Sequence, residues 1–171
     1  MNPEIIALHK HWCTADAVKQ FISSDLPEKG SEEYPQWFKN LGNTASMFHR
    51  LSVWYALLYV VVEGFRELDL KHPEVYELLK NKECVECLRL FRNATFHYQK
   101  YPLTEKTLKF LEAKDSEKWI RDLNKALNRF FLETLPIKEH VEQSKRGTSL
   151  CFQKFQRKVT PNKLYHGVQE Q

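Results

Sequence analysis

The chain has 171 residues, which suits one domain with a single core and a tail. Its 42% hydrophobic and 28% charged residues are typical of a globular protein rather than a disordered one. Five glycines and seven prolines are few for the many turns of an all-β fold. The net charge of +4 produces only a weak electrostatic field.

The N-terminal segment predicts a first helix from Pro3 to about Ser23, because its apolar residues recur at helical spacing. The opening stretch, MNPEIIALHKHW, lacks the basic and then apolar layout of a signal peptide. We therefore expect a cytoplasmic protein. The next stretch, SSDLPEKGSEEYP, carries prolines, a glycine and charges and predicts a loop.

A long second helix is predicted from about Thr44 to Leu70, directly after Gly42 and Asn43. Its apolar residues cover more than one stripe, which predicts the central element of the fold. The longest apolar run, LSVWYALLYVVV, is shorter than the ~18 residues or more that a membrane-spanning helix needs. We therefore expect no membrane partner.

Glu63 interrupts the most apolar part of this second helix, in the stretch YVVVEGF. A buried, unpaired carboxylate is costly, so Glu63 should be protonated, paired or exposed. Arg92 is a natural partner if the helices that carry the two residues pack side by side, and Glu63 would then fix Arg92. The alternative is a glutamate at an exposed edge, followed by Gly64 for close helix packing.

The later segments also have helical spacing. Their predicted positions are a third helix beginning at Pro73, a helix from Glu83 to about Tyr98, a stretch beginning at Thr104, and a last long helix from Ser116 to about Leu135. No strand pattern competes with them. The sequence therefore predicts an all-α fold, an up-and-down bundle of four to five helices over residues 1–136, with a basic C-terminal extension over residues 137–171.

The stretch FRNATFHYQ, residues 91–99, carries three polar side chains suited to phosphate and proton chemistry. His97 can act as base or acid near neutral pH. Arg92 presents a planar, charged fork to phosphate oxygens, and Asn93, four residues before His97, is expected on the same helical face. Such a set could cleave RNA without a metal: His97 takes the 2′-hydroxyl proton, that oxygen attacks the neighbouring phosphorus, and Arg92 stabilises the developing charge.

The spacing of Arg92 and His97 raises a difficulty, because in a straight helix they lie roughly 140° and about 7.5 Å apart. The long arginine side chain, a helix that ends before His97, or a second copy across a dimer axis would bring the groups together. The alternative is an arginine on a solvated face and a histidine that caps or packs at the helix end.

Cys84 and Cys87 form a single CxxC within a helical pattern. A structural zinc site needs four ligands, usually from two such pairs or a paired histidine motif. We expect thiols in a reducing compartment, with no metal and no cofactor. A zinc-stabilised scaffold is the alternative.

RNATFH resembles the R-[polar]-x3-H motif of the HEPN superfamily, the helical domains named for higher eukaryotes and prokaryotes nucleotide-binding. Arg92, Asn93 and His97 carry the match. The flanking CLRLF and HYQ, and the upstream YVVVEGFRELDL and HPEVYELL, also resemble bacterial members. The resemblance covers about residues 44–135.

This resemblance implies a helical bundle that often dimerises with its motifs facing each other, and metal-independent endoribonuclease activity in many members. Several members are toxins or phage-defence effectors, some held in check by a nucleotidyltransferase-type antitoxin; others have lost activity. We therefore expect an endoribonuclease acting on RNA as a homodimer, with Arg92, Asn93 and His97 catalytic and Glu63 and Tyr98 supporting. The alternative is a non-catalytic module of the same kind that binds a nucleotide or a protein partner.

The C-terminal extension holds seven lysines and arginines against three glutamates, so it carries the whole net charge of +4. Basic residues alternate there with aromatic residues, a pattern that suits a nucleic-acid backbone and its unstacked bases. The residues expected to bind RNA are Lys154, Arg157 and Lys158. The alternative is a solubilising extension with a few docking aromatics.

Overall fold

The computed structural model describes residues 2–25, 33–101 and 103–137. This part of the chain contains no strand and forms six helices: α1 Pro3–Gln20, α2 Gln36–Glu67, α3 Pro73–Leu79, α4 Lys82–Phe96, α5 Glu105–Glu112 and α6 Ser116–Thr134. The predicted all-α bundle is confirmed. Counting the two short helices, α3 and α5, brings the number in the described ranges above the predicted four to five.

Helix α2 starts well before the predicted position at Thr44. It begins at Gln36, directly after Pro35, and passes through Gly42 without a break. Glycine lowers helix stability by only about 1 kcal/mol, so the single Gly42 does not stop a long helix. The prediction was wrong here because it treated Gly42 and Asn43 as a boundary.

Helix α2 is the central element, in contact with both α1 and α4. By length and composition it is also the one helix among the described residues that could cross a membrane, with 39% of its most apolar window buried in the bundle. A core helix passes the same test, so this is weak evidence for a membrane span.

A cluster of aromatic rings joins four helices and fixes α4 against α2. Tyr55 of α2 lies 5.6 Å from Phe91 of α4 and 5.2 Å from Phe110 of α5, measured between ring centroids. Phe110 in turn contacts Trp119 of α6 at 6.4 Å. These edge-on contacts stabilise aromatic pairs beyond the area that they bury. Because Phe91 is fully buried, the next residue, Arg92, is held at a defined place beside α2.

Helix α1 packs on α2 at Gly64 and on α6 through two aromatic residues. A Cβ added at Gly64 would lie 2.6 Å from Leu8 Cδ1, so the glycine permits the close approach of α1. Trp12 donates a hydrogen bond from Nε1 to Oδ1 of Asn124 at 3.1 Å. The His9 ring lies 4.9 Å from the ring of Phe131.

The predicted basic extension, residues 137–171, lies outside the described residues apart from Ile137. The division of the chain at residue 136 therefore stays a prediction. So does the expected RNA contact of Lys154, Arg157 and Lys158.

Candidate active site

Arg92 and Glu63 form an ion pair between α4 and α2. The Arg92 Nη2 atom lies 2.7 Å from Oε2 of Glu63, and the two side chains are 24% and 41% exposed. The sequence indicated this partnership, because a carboxylate within an apolar helix needs a partner or solvent. Glu63 has both, which explains how a charged side chain is accommodated in the most apolar stretch of α2.

Two further neighbours restrict the Arg92 guanidinium. Its Nη1 atom donates to Oδ1 of Asn93 at 3.0 Å, and its Cζ atom lies 5.6 Å from the ring centroid of Tyr59. The second distance is within the range of a cation–π interaction. Arg92 is therefore held in one orientation by an anion, an amide and an aromatic face.

The Arg92 guanidinium keeps part of its hydrogen-bonding capacity. Of its five N–H donors, one on each terminal nitrogen is used by Glu63 and Asn93, and the Nε atom is buried without a partner among the described residues. One donor on Nη1 and one on Nη2 remain. These are the two positions from which arginine binds phosphate oxygens in bidentate fashion.

Tyr59 forms the floor beneath Arg92 and is itself buried. Burial raises the pKa of Tyr59 above its ordinary value of 10.0, and the negative charge of Glu63 raises it further, against the opposing effect of Arg89, Arg66 and Arg92. Tyr59 therefore stays neutral near physiological pH. The residue therefore contributes an uncharged aromatic surface and cannot act as a phenolate base.

Tyr59 lies within the electrostatic influence of three arginines, Arg66, Arg89 and Arg92, as well as of Glu63. Arg89 is paired with Glu86 at 2.6 Å on the exposed face of α4.

The sequence analysis missed Tyr59, Arg66 and Arg89. Tyr59 precedes Glu63 by four residues, and Arg89 precedes Arg92 by three, so both lie on the site faces of their helices and could have been found by spacing.

His97 lies just beyond the last residue of α4. Its backbone is extended, with φ −113° and ψ 145°, and its N–H donates to the Asn93 carbonyl oxygen at 3.2 Å. The imidazole is exposed and forms no hydrogen bond or ion pair with any residue that the structure describes. His97 is thus the capping residue of α4, one position beyond its last helical residue, and the expected shared face with Asn93 stays a prediction.

Within one chain, the structure brings together Glu63, Arg92 and Asn93, and in the described residues the His97 imidazole forms no hydrogen bond or ion pair with them. The end of α4 before His97 therefore does not by itself connect His97 to Arg92 through a hydrogen bond.

Tyr98 is 93% exposed, so it is free to contact a ligand rather than part of the core. Phe96 and Tyr101 are also exposed, at 48% and 62%. The three rings flank His97 in the sequence and give the end of α4 an aromatic surface. Exposed rings of this kind can stack on unpaired bases.

Cys84 and Cys87 lie in the first turns of α4, the first buried and the second partly buried. Burial raises the pKa of both thiols, so both are protonated at neutral pH. Among the described residues no group of three or more histidine, cysteine, aspartate or glutamate side chains is placed to hold a metal ion. Cys151 lies outside the described residues.

Comparison with known proteins gave no match, whether the chain was searched against family models, curated proteins or solved structures. The relationship to the HEPN superfamily therefore stays a prediction that rests on the motif and its flanking sequence.

Proposed function

We propose that the protein is a metal-independent endoribonuclease in which Arg92 holds the scissile phosphate and His97 transfers the proton. The observation that carries the proposal is the Arg92 guanidinium, fixed by Glu63 at 2.7 Å and Asn93 at 3.0 Å, with one donor left on each terminal nitrogen. An arginine fixed in this way is prepared to bind an anion, because little side-chain entropy is lost on binding.

The proposed reaction begins with the neutral His97 imidazole taking the proton of a 2′-hydroxyl group. The resulting oxygen attacks the adjacent phosphorus, and Arg92 stabilises the extra negative charge on the phosphate oxygens. The bond to the 5′-oxygen then breaks, and that oxygen takes up a proton from an imidazolium or from water. The products are a 2′,3′-cyclic phosphate end and a 5′-hydroxyl end.

The proposed biological role follows from the resemblance: a cytoplasmic toxin or phage-defence effector that acts on RNA as a homodimer. A nucleotidyltransferase-type antitoxin is the proposed regulatory partner. Asn93 positions Arg92, and Tyr98 supports the substrate from its exposed position beside His97.

Purified protein and a fluorescent RNA of mixed sequence test the proposal. We expect His97→Ala to lower the cleavage rate by roughly 100-fold or more, the usual contribution of positioned proton transfer. Arg92→Ala should be similarly damaging, and Arg92→Lys should not restore full activity because an ammonium group lacks the planar fork. Glu63→Gln should have a smaller effect, since the amide still accepts a hydrogen bond from Arg92.

Matched controls separate the site from general effects on folding and charge. His11→Ala removes an exposed histidine of α1, and Arg121→Ala removes an exposed arginine of α6; both should cleave at the parental rate. Circular dichroism should show that every variant is folded. Cleavage should persist in excess chelator, and the products should carry cyclic phosphate ends. Full activity of folded His97→Ala, or strict dependence on magnesium, would contradict the mechanism.

A second candidate function is a non-catalytic module that binds a nucleotide or a protein partner. Among the described residues no hydrogen bond joins His97 to the Arg92 side chain, and Glu63 and Asn93 already satisfy part of the guanidinium, which favours this function. This alternative predicts binding without cleavage by the parental protein. Binding would then be weakened by Arg92→Ala and unaffected by His97→Ala.

A further inference from the structure

A pocket of about 300 Å³ opens where the end of α2, helix α3 and the start of α4 meet. Its volume is at the lower end of the range for small-ligand sites, roughly 300–1,000 Å³. The apolar part of its lining comes from Phe65, Leu70 and Leu79, of which Phe65 is buried in the core. The pocket therefore has a rigid apolar wall.

The loop that closes the pocket is fixed by the way α2 ends. The Leu70 N–H donates to the Phe65 carbonyl at 3.1 Å, and the Asp69 N–H donates to the Arg66 carbonyl at 3.0 Å. Together with the positive φ of 47° at Asp69, these bonds form a Schellman motif. Aspartate tolerates this left-handed conformation better than most residues. The pocket is therefore formed before any ligand binds.

Four cationic side chains line this pocket against one carboxylate. Lys71 pairs with Asp69, and Lys80 pairs with Glu77 at 2.6 Å. The other two cations, Arg66 and Lys82, form no ion pair with any residue in the described ranges. An anion that entered the pocket would therefore meet two uncompensated positive charges.

Tyr76 supplies an aromatic surface at the same pocket. Its side chain is 59% exposed, and the Lys80 ammonium lies 5.1 Å from its ring centroid. A pocket that holds an exposed ring and two cations unpaired among the described residues, Arg66 and Lys82, suits a ligand with a planar portion and a negatively charged portion, because each part finds its own partner.

We propose that this pocket binds a nucleoside monophosphate, with the phosphate at Arg66 and Lys82 and the base on Tyr76. The apolar wall and the aromatic ring favour a nucleotide over a bare phosphate, and the cations favour it over an uncharged nucleoside. The pocket shares Arg66 with the surroundings of Tyr59 but contains none of Arg92, Asn93 and His97, so the proposal does not depend on the proposed ribonuclease activity.

Isothermal titration calorimetry of the full chain with AMP, GMP, CMP and UMP tests the proposal, with adenosine and inorganic phosphate as partial ligands. We expect at least one nucleotide to bind at least ~10-fold more tightly than adenosine or phosphate, because two sets of contacts act together. Equal affinity for phosphate and nucleotide would overturn the proposed role of Tyr76. No binding of any of the four nucleotides would overturn the proposal as a whole.

Two variants locate the binding. Lys82→Glu places an acidic residue at the first position of α4, where the helix dipole favours it, so the protein should stay folded. We expect this variant and Tyr76→Ala each to weaken nucleotide binding by about 10-fold or more. Lys106→Glu makes the same charge change at an exposed position of α5 outside the pocket and should bind nucleotide like the parental protein.

Two further outcomes separate this pocket from the proposed active site. His97→Ala should bind the nucleotide normally, and failure of RNA cleavage would leave the nucleotide prediction standing. If Lys82→Glu weakened the binding of long RNA but left mononucleotide binding unchanged, the pocket would be part of an RNA path and the mononucleotide proposal would be wrong. Equal loss in Lys106→Glu and Lys82→Glu would also overturn it.

Discussion

At the scale of single residues, the Arg92 guanidinium is bound from two helices at once. Glu63 holds it from α2 and Asn93 from α4, with the ring of Tyr59 on one side. A partly exposed ion pair adds little to stability by itself, because water screens it. Its effect is on geometry: two hydrogen bonds and an aromatic face fix the direction in which the remaining donors point.

The fold alters the proton affinity of His9. Its ring stacks on Trp12 at 5.8 Å and lies against Phe131 at 4.9 Å, and the loss of water lowers the pKa of His9 below its ordinary value of 6.5. The unfolded chain therefore binds a proton more readily than the folded one. The contribution of neutral His9 to the free energy of unfolding is fully present at a pH above the pKa that His9 has in the unfolded chain. It is lost as the pH falls below that pKa.

We expect the free energy of unfolding to decrease between about pH 7.5 and about pH 5.5, and His9→Gln to reduce that decrease. Glutamine can still form a hydrogen bond to Cys13, whose Sγ atom lies 3.5 Å from Nε2 of His9, but it does not titrate. Urea unfolding at the two pH values measures the effect. His11→Gln, at an exposed position on the same helix, is the control, and an equal change in both variants would contradict the prediction.

Contacts that follow from neighbouring residues in the sequence could be predicted, whereas contacts that follow from tertiary packing could not. The need of Glu63 for a partner could be inferred from its apolar neighbours alone, and the structure supplies Arg92. The three arginines around Tyr59 depend on the register of α2 against α4, which is set by tertiary packing of rings such as Phe91. Spacing alone does not determine that register.

At the scale of helices, the end of α4 decides what the site can do. The sequence predicts a helix to about Tyr98, and the next strong stop signal is Pro102. The chain leaves the helix at His97 instead, with only a backbone hydrogen bond to Asn93. Helix ends commonly differ by a residue or two from expectation. Here that difference places His97 at the C-cap, with an extended backbone, rather than inside the helix.

Close packing between α1 and α2 at Gly64 supports the site, because the neighbouring Glu63 holds Arg92. We expect Gly64→Val to lower the free energy of unfolding by about 1–3 kcal/mol, since the added atoms meet Leu8, which lies in the core. Glu67→Val introduces the same residue one turn later at an exposed position and should change stability by less than about 1 kcal/mol. Urea unfolding compares the two, and equal losses would show that close packing at Gly64 is unimportant.

At the scale of the whole molecule, no hydrogen bond within one chain joins Arg92, the proposed phosphate-binding residue, to His97, the proposed base, among the described residues. A two-fold axis can place His97 of one protomer beside Arg92 of the other, because an isologous interface brings the same patches together twice. The exposed rings of Phe96, Tyr98 and Tyr101 beside His97 give this region apolar surface to bury. We therefore expect a homodimer whose two sites each use residues of both protomers.

Mixed dimers test that arrangement directly. We expect Arg92→Ala and His97→Ala proteins, each inactive alone, to recover about one quarter of the parental activity when co-expressed in equal amounts, because half of the dimers are mixed and each has one complete site. Light scattering should give about twice the chain mass of 20.4 kDa. Co-expression of Arg92→Ala with the double variant Arg92→Ala/His97→Ala is the control and should remain inactive, since no Arg92 is present. If the mixed dimers also stayed inactive, each site would lie within one chain; an active monomer would exclude the shared site altogether.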